Sequence, residues 1–137
     1  MPRQLEFCKR KDMSKPINHY NVKPEVNLTD EIKATELIKP GVEGKLSAHK
    51  IWVPPNTEYP PHQHPSPHII LLLEGGGWLK CGEGKEETNS LINAGDVFHV
   101  PENMPHQVGA DSRGIVMIAV SVGSKPLTDP KRMEVLP

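Results

Sequence analysis

Three histidines in one short stretch are the residues of this sequence best suited to chemistry. His62, His64 and His68 stand at positions i, i+2 and i+6. In an extended chain, residues separated by an even number point to the same face, so the three imidazoles can converge on one side. Neutral imidazole is a common ligand for Zn, Cu, Fe and Ni. The spacing therefore predicts a metal site, against the alternative of a polar loop in which the histidines are incidental.

The residues that follow His68 form an apolar run. If His68 points inward, Ile70 and Leu72 do so too, and the alternate residues face outward: Ile69, Leu71 and Leu73. A strand that is apolar on both faces is normally covered on both. The run therefore predicts that either a second subunit or an N-terminal strand covers the outer face.

This stretch resembles the first cupin motif, which runs Gly, five residues, His-x-His, three or four residues, Glu, six residues, Gly. His62, His64 and Gly75 match that frame. Asn56 stands where the first Gly belongs, and His68 stands where the Glu belongs. The resemblance, with its Glu-to-His change, implies a small cupin of the four-histidine variant.

A second stretch resembles the second cupin motif, in which Gly95, Pro101 and His106 match. Asn103 replaces the second Gly of that motif, and Ala110 replaces its Asn. Asn tolerates the left-handed turn conformation better than most residues, so Asn at a Gly position is a mild departure. The resemblance covers residues 42–122. It implies an all-β cupin double-stranded β-helix, which is a jelly-roll barrel, preceded by a short extended N-terminal arm.

The resemblance implies one divalent transition metal ion, with Fe, Mn, Ni, Zn and Cu all open, held by His62, His64, His68 and His106. It further implies a small metalloenzyme that acts on a small anionic chelating substrate, with dioxygenase-type chemistry favoured. The alternatives are a redox-neutral Zn or Ni cyclase, isomerase or lyase, and a metal-dependent binding protein without turnover. No residue is assigned to catalysis, and the candidates for proton transfer are His49 and His99.

The pocket around such a metal has several candidate residues. Strands are predicted over residues 42–53, 85–92, 97–100 and 114–122. On the first of these, His49 and Trp52 lie on opposite faces, and the sequence leaves open which one faces the pocket. The other candidates are Ile70, Leu72 and Met117.

Length and composition favour a single β-rich domain. The chain has 137 residues, with 15 prolines and 11 glycines among short apolar runs, which is typical of turn-rich β architecture. We divide it into an N-terminal arm or edge strand (1–41), a cupin barrel (42–122) and a C-terminal tail (123–137).

The charge and the cysteines limit the classes of partner. A formal charge of -1 gives no electrostatic basis for binding nucleic acid, and no apolar run is long enough to span a membrane. Two cysteines, Cys8 and Cys81, are too few for a disulfide framework and indicate a cytoplasmic protein. The predicted partners are a small-molecule ligand and a second copy of the chain in a homodimer.

Overall fold

The structure is a computed structural model and describes residues 25–42, 46–123 and 131–137. Cys8 and the first 24 residues of the predicted N-terminal arm lie outside these ranges. The described part contains nine β-strands and one 3-10 turn, and none of its helical residues could cross a membrane. The elements are β1 (Val26–Asn27), β2 (Lys33–Val42), β3 (Leu46–Val53), β4 (His62–Gln63), β5 (His68–Cys81), the turn Gly84–Glu86, β6 (Thr88–Asn93), β7 (Val97–Val100), β8 (His106–Val122) and β9 (Glu134–Val135).

The long antiparallel pair β5 and β8 is the centre of the sheet. Its register runs from His68 opposite Ser121 to Cys81 opposite His106. The second half of β8 also pairs with β3, and β3 pairs with β2. The strands β6 and β7 pair with β5, while β4 joins β8 to β9. The resulting curled, almost all-β sheet confirms the predicted cupin barrel.

Glycines allow β5 and β8 to bend while they stay close together. Gly75 has a φ of 81°, a left-handed conformation that favours glycine. A Cβ atom on Gly77 would lie 1.9 Å from the carbonyl oxygen of Gly109 on β8. The register shifts of the pair fall at this point, between Leu72 and Gly77. Because of this bend, the first and second halves of the β5–β8 pair form two different parts of the barrel wall.

The two faces of β5 differ as the alternation predicts. His68, Ile70 and Leu72 are buried in the barrel. The outward residues Ile69 and Leu71 are 46% and 37% exposed, and in the part of the chain that the structure describes nothing covers them. The β1–β2 pair lies at the other side of β3 from β8, so described N-terminal residues do not provide the cover.

Some element boundaries differ from the predictions. The predicted strand over residues 42–53 is two strands, because β2 ends at Val42 and β3 begins at Leu46. The predicted strand over 85–92 begins only at Thr88, because the chain first forms the 3-10 turn Gly84–Glu86. The strand over 97–100 is confirmed as β7. Asn56 and Asn103 have φ of 54° and 55°, which confirms that they take the turn conformation expected of glycine.

The sheet extends beyond residues 42–122 on both sides. On the N-terminal side, β2 is hydrogen-bonded to β3. On the C-terminal side, β9 pairs with β4, with Val135 opposite His62. The residues around β9 are thus placed directly beside the strand that carries the first histidine of the motif.

Candidate metal centre

The sheet brings three of the predicted ligands together. His62 on β4 and His106 at the start of β8 are direct partners in the register, and His64 follows in the turn to β5. One ring nitrogen from each lies within 4.8 Å of those of the other two. The ring centroids of His62 and His106 are 4.2 Å apart, and those of His64 and His106 are 4.8 Å apart. All three side chains are buried.

Backbone carbonyl groups fix the orientation of these rings. The Nδ1 atom of His62 donates to the carbonyl oxygen of Pro60 (2.7 Å). His106 Nδ1 donates to Met104 (2.8 Å) and His64 Nδ1 donates to Ser66 (3.1 Å) in the same way. Because a carbonyl oxygen can only accept, the hydrogen must be on Nδ1. Each Nε2 therefore keeps its lone pair, and this is the tautomer and fixed ring that metal-ligating histidines have.

The environment also keeps the imidazoles neutral. Burial first, and then the nearby His106, lower the pKa of His62 to about 3, although the bond to Pro60 acts in the opposite direction. Burial, together with His68 and His106, lowers the pKa of His64 to about 2. Burial lowers the pKa of His106 as well. Only the neutral ring binds a metal, so these histidines need not lose a proton at neutral pH to become ligands.

His68 lies beside the group of three but is not part of it. Its ring centroid is 3.8 Å from that of His64, and its Nδ1 donates to the Ser66 carbonyl oxygen (2.9 Å). Burial lowers its pKa to about 4. Its Nε2 is buried without a hydrogen-bond partner, which is costly for a polar atom unless a further group binds it. A metal ion fits this donor set, and the role of His68 as the fourth ligand stays a prediction.

A cavity surrounds the histidines, and it contains only some of the predicted pocket residues. Its volume is about 20 Å³, which is room for about one water molecule. Its walls include His49, Ile70 and Met117, all predicted from the sequence.

Three other predicted residues do not line this cavity. Trp52 is on the outer face of β3 and 40% exposed, which settles the open choice in favour of His49. Leu72 is fully buried in the core, one inward position beyond Ile70. His99 is exposed on β7 opposite the outward-facing Ile69. The structure therefore does not bring His99 to the site. Alternation along the strands explains the outward positions of Trp52 and His99, whereas Leu72 faces inward but lies beyond the cavity.

Two polar residues that the sequence analysis did not identify, Tyr59 and Arg132, also line the cavity. Tyr59 is buried beside His62, with ring centroids 4.5 Å apart. Arg132 comes from the segment before β9, is 4% exposed, and donates from Nη2 to His49 Nε2 (2.7 Å). Burial first, and then the charge of Arg132, hold the pKa of His49 well below its usual value. Tyr59 could have been found from the sequence, because it lies only three residues before His62. No feature of the sequence indicates that Arg132 is part of the site.

Comparisons with known proteins agree with this architecture. Residues 50–123, more than half of the chain, match the Cupin_2 family, described as a cupin domain. Germin-like protein subfamily 1 member 12 of Arabidopsis thaliana is 30% identical over an alignment of 94 residues, and the match covers 55% of this chain and 42% of that protein. The chain thus spans about two fifths of the length of this curated relative.

Solved structures share the fold at low sequence identity. The polyketide cyclase RemF from Streptomyces resistomycificus is 22% identical, with a TM-score of 0.62 over 83% of this chain and 82% of that one. KdgF from Halomonas sp. is 15% identical, with a TM-score of 0.63 over 79% and 96%. Oxalate decarboxylase from Lactobacillus farciminis is 15% identical, with a TM-score of 0.69 over 91% and 38%. Together with the curled all-β sheet and the two motifs, the family match shows that the chain belongs to the cupin superfamily.

Proposed function

We propose that this cupin binds one divalent transition metal ion and acts on a small, anionic, metal-chelating organic substrate. The observation that carries the proposal is the set of buried neutral imidazoles. Three of them, His62, His64 and His106, have ring nitrogens within 4.8 Å of one another. His68 is the fourth ligand in this proposal, because its buried Nε2 has no other partner.

The ligand set and the lining residues define the chemistry. A bound metal would supply a Lewis acid and, if it is redox-active, a centre for reaction with O2. Four imidazoles carry no negative charge, so an M²⁺ ion would keep its charge and favour an anionic oxygen ligand. The chain itself contributes an apolar wall of Ile51, Ile70, Val108 and Met117, which excludes water and strengthens these electrostatic interactions.

Dioxygenase-type chemistry is our first assignment, because nitrogen ligands without a carboxylate suit redox metals such as Fe(II) and Cu(II). Redox-neutral chemistry is the second, and the position of Tyr59 favours it. The Tyr59 hydroxyl group is buried, and burial raises its pKa, so it stays a protonated donor beside the histidines. Such a donor can stabilise an enolate oxygen without any oxidant.

The histidine candidates for proton transfer are not equivalent. His49 lies in the cavity wall, but its Nε2 already accepts a bond from Arg132. It can take a proton from a substrate only after that bond is released. His99 is exposed on β7, and we assign it no role.

Analysis of the metal in the purified protein, combined with O2-uptake measurements, tests the proposed function. We expect one equivalent of a transition metal per chain. Iron or copper, with O2 consumption in the presence of β-dicarbonyl or hydroxy-acid substrates, would establish the oxygenase. Zinc or nickel, with turnover of the same substrates but no O2 consumption, would establish the redox-neutral enzyme. A protein that holds no metal when supplied with all five candidate ions would refute both.

We also propose that the chain is a cytoplasmic homodimer. The exposed apolar residues of β3, β5, β7 and β8 form a continuous outer surface, because Ile69 pairs with Val120 and Leu71 pairs with Val97. Its other members are Leu46 and Val122, which are also paired, and Trp52 and Leu73. Surfaces of this kind mark interfaces between subunits, and two cysteines are too few for the disulfide framework of many secreted domains.

Replacing Leu71 with Asp is expected to convert the homodimer to a monomer. A buried carboxylate without a partner costs several kcal/mol, and an obligate interface buries about 2,000 Å² or more in total. Sedimentation velocity at micromolar concentration measures the change. The matched control is Leu91→Asp, since Leu91 is 84% exposed on β6 and lies outside the outer surface. A wild-type protein that sediments as a monomer would contradict the dimer.

A further inference from the structure

The cavity has one positive charge, that of Arg132, because its histidines are neutral. Its lining contains five histidines and one arginine but no Asp or Glu: His49, Ile51, Tyr59, His62, His64, His68, Ile70, His106, Val108, Met117, Ala119 and Arg132. A buried charge is normally paired with one of opposite sign. Here the guanidinium group of Arg132 is 4% exposed. No carboxylate among the described residues lies within 4.0 Å of it.

The partners that Arg132 does have are neutral. Nη2 donates to His49 Nε2 (2.7 Å), and Nη1 is 3.5 Å from the sulfur of Met133. The Tyr59 hydroxyl group also interacts with the guanidinium group. The Nε atom of Arg132 is buried and has no partner. Within the part of the chain that the structure describes, this arrangement leaves the charge of Arg132 without a negative partner and its Nε donor unsatisfied.

We propose that Arg132 is the anion-binding residue of the site, and that it recognises the carboxylate or enolate group of the substrate. The proposal deepens the proposed function, on which it rests. The planar guanidinium group presents donors in a fork that matches a carboxylate. Exchange of the neutral acceptor His49 for an anion gives a stronger, charge-assisted bond. The cavity holds only about one water molecule, so a substrate can enter only if side chains move. Release of Arg132 from His49 is such a movement, and the new bond from Arg132 to the anion compensates for the lost one.

The placement of Arg132 suits such a role. The segment that carries it is attached to the metal-site strand by the β9–β4 pairing and by a bond from the Leu136 amide to the Pro61 carbonyl oxygen (2.8 Å). Met133 packs against the core and accepts from the Tyr59 hydroxyl (3.6 Å). The backbone at Arg132 is thus held beside the histidines by a short strand, while its side chain can exchange His49 for an anion.

A pair of probes tests the role of this charge. Glycolate and its amide, glycolamide, have nearly the same size, and both can chelate through a hydroxyl and a carbonyl oxygen, but only glycolate is an anion. We expect the wild-type protein with metal bound to prefer glycolate, and Arg132→Met to reduce this preference by about tenfold or more. Metal content should be unchanged. Calorimetric titration measures both affinities. The matched control is Lys131→Met, which removes the same charge from an exposed neighbour.

Thermal unfolding without ligand separates ligand recognition from a structural role. If Arg132 only supported the fold, its replacement by Met would lower the unfolding temperature. A buried unpaired charge is itself destabilising, so we expect the variant to unfold at the same or a higher temperature. Arg132→Lys, which keeps the charge without the fork, should lose part of the glycolate preference and provides the test if the Met variant does not fold.

The outcomes distinguish this inference from the proposed function. If the folded, metal-loaded Arg132 variants prefer glycolate over glycolamide as strongly as the wild type does, Arg132 is not the anion-binding residue. The proposed metal site would be unaffected by that result. If the wild-type protein holds no metal, the proposed function fails. The same titrations on the metal-free protein then test the role of Arg132. We expect Arg132→Met to weaken glycolate binding there too. Equal glycolate binding by the wild type and the variant would overturn the anion-binding role.

Discussion

Replacement of His64 with Ala is expected to lower metal affinity by more than about 100-fold. Changes to groups that merely orient a ligand cost about 10- to 100-fold, and His64 is itself a proposed ligand. It occupies the turn between β4 and β5, and its ring is the neighbour of three others: those of His62, His68 and His106. Its removal leaves the remaining imidazoles without their common neighbour. Metal content after dialysis against a graded chelator series measures the loss.

The control for this prediction is His99→Ala. His99 is exposed on β7, so the change removes an imidazole without touching the cavity. We expect full metal content in this variant. A His64 variant that is folded by circular dichroism and still binds metal as tightly as the wild type would show that the metal is held elsewhere.

The histidine cluster was predictable because it depends on local geometry. His62 and His64 are two residues apart, and the carbonyl groups that orient them are also two residues away, at Pro60 and Ser66. Their positions follow from the pleat and the adjoining proline-rich turn. His106 needed the second motif, because its pairing with His62 spans a long stretch of chain.

The rest of the site depends on contacts that no local pattern encodes. His49 and Trp52 are on opposite faces of one strand, and both faces mix polar with apolar residues. Only the register with β8, which places His49 opposite Ala119, decides which face is inside. Arg132 meets His49 across 83 positions of the sequence. It lies in a polar segment without periodicity, so the sequence predicted a tail where the structure has part of the cavity wall.

Replacement of His68 with Glu is expected to weaken the binding of anionic chelators by about tenfold or more while metal is retained. A carboxylate at this position would neutralise one unit of the metal's charge. It would also supply the negative partner that Arg132 does not have among the described residues, because the charge of Arg132 already acts on His68. The site would then attract an anion less strongly. The measurements are metal content and the affinity for glycolate, as in the Arg132 experiment.

His68→Gln is the matched control, because Gln has nearly the shape of Glu and no charge. We expect it to hold metal less tightly than the wild type but to keep the preference for glycolate over glycolamide. If only the Glu variant loses affinity for anions, the cause is therefore its added negative charge. If both variants lose affinity equally, the cause is the loss of the imidazole. If the Glu variant holds its metal and binds glycolate as tightly as the wild type does, site charge does not select the ligand. The selectivity would then have to come from the shape of the cavity formed by Ile70 and Met117.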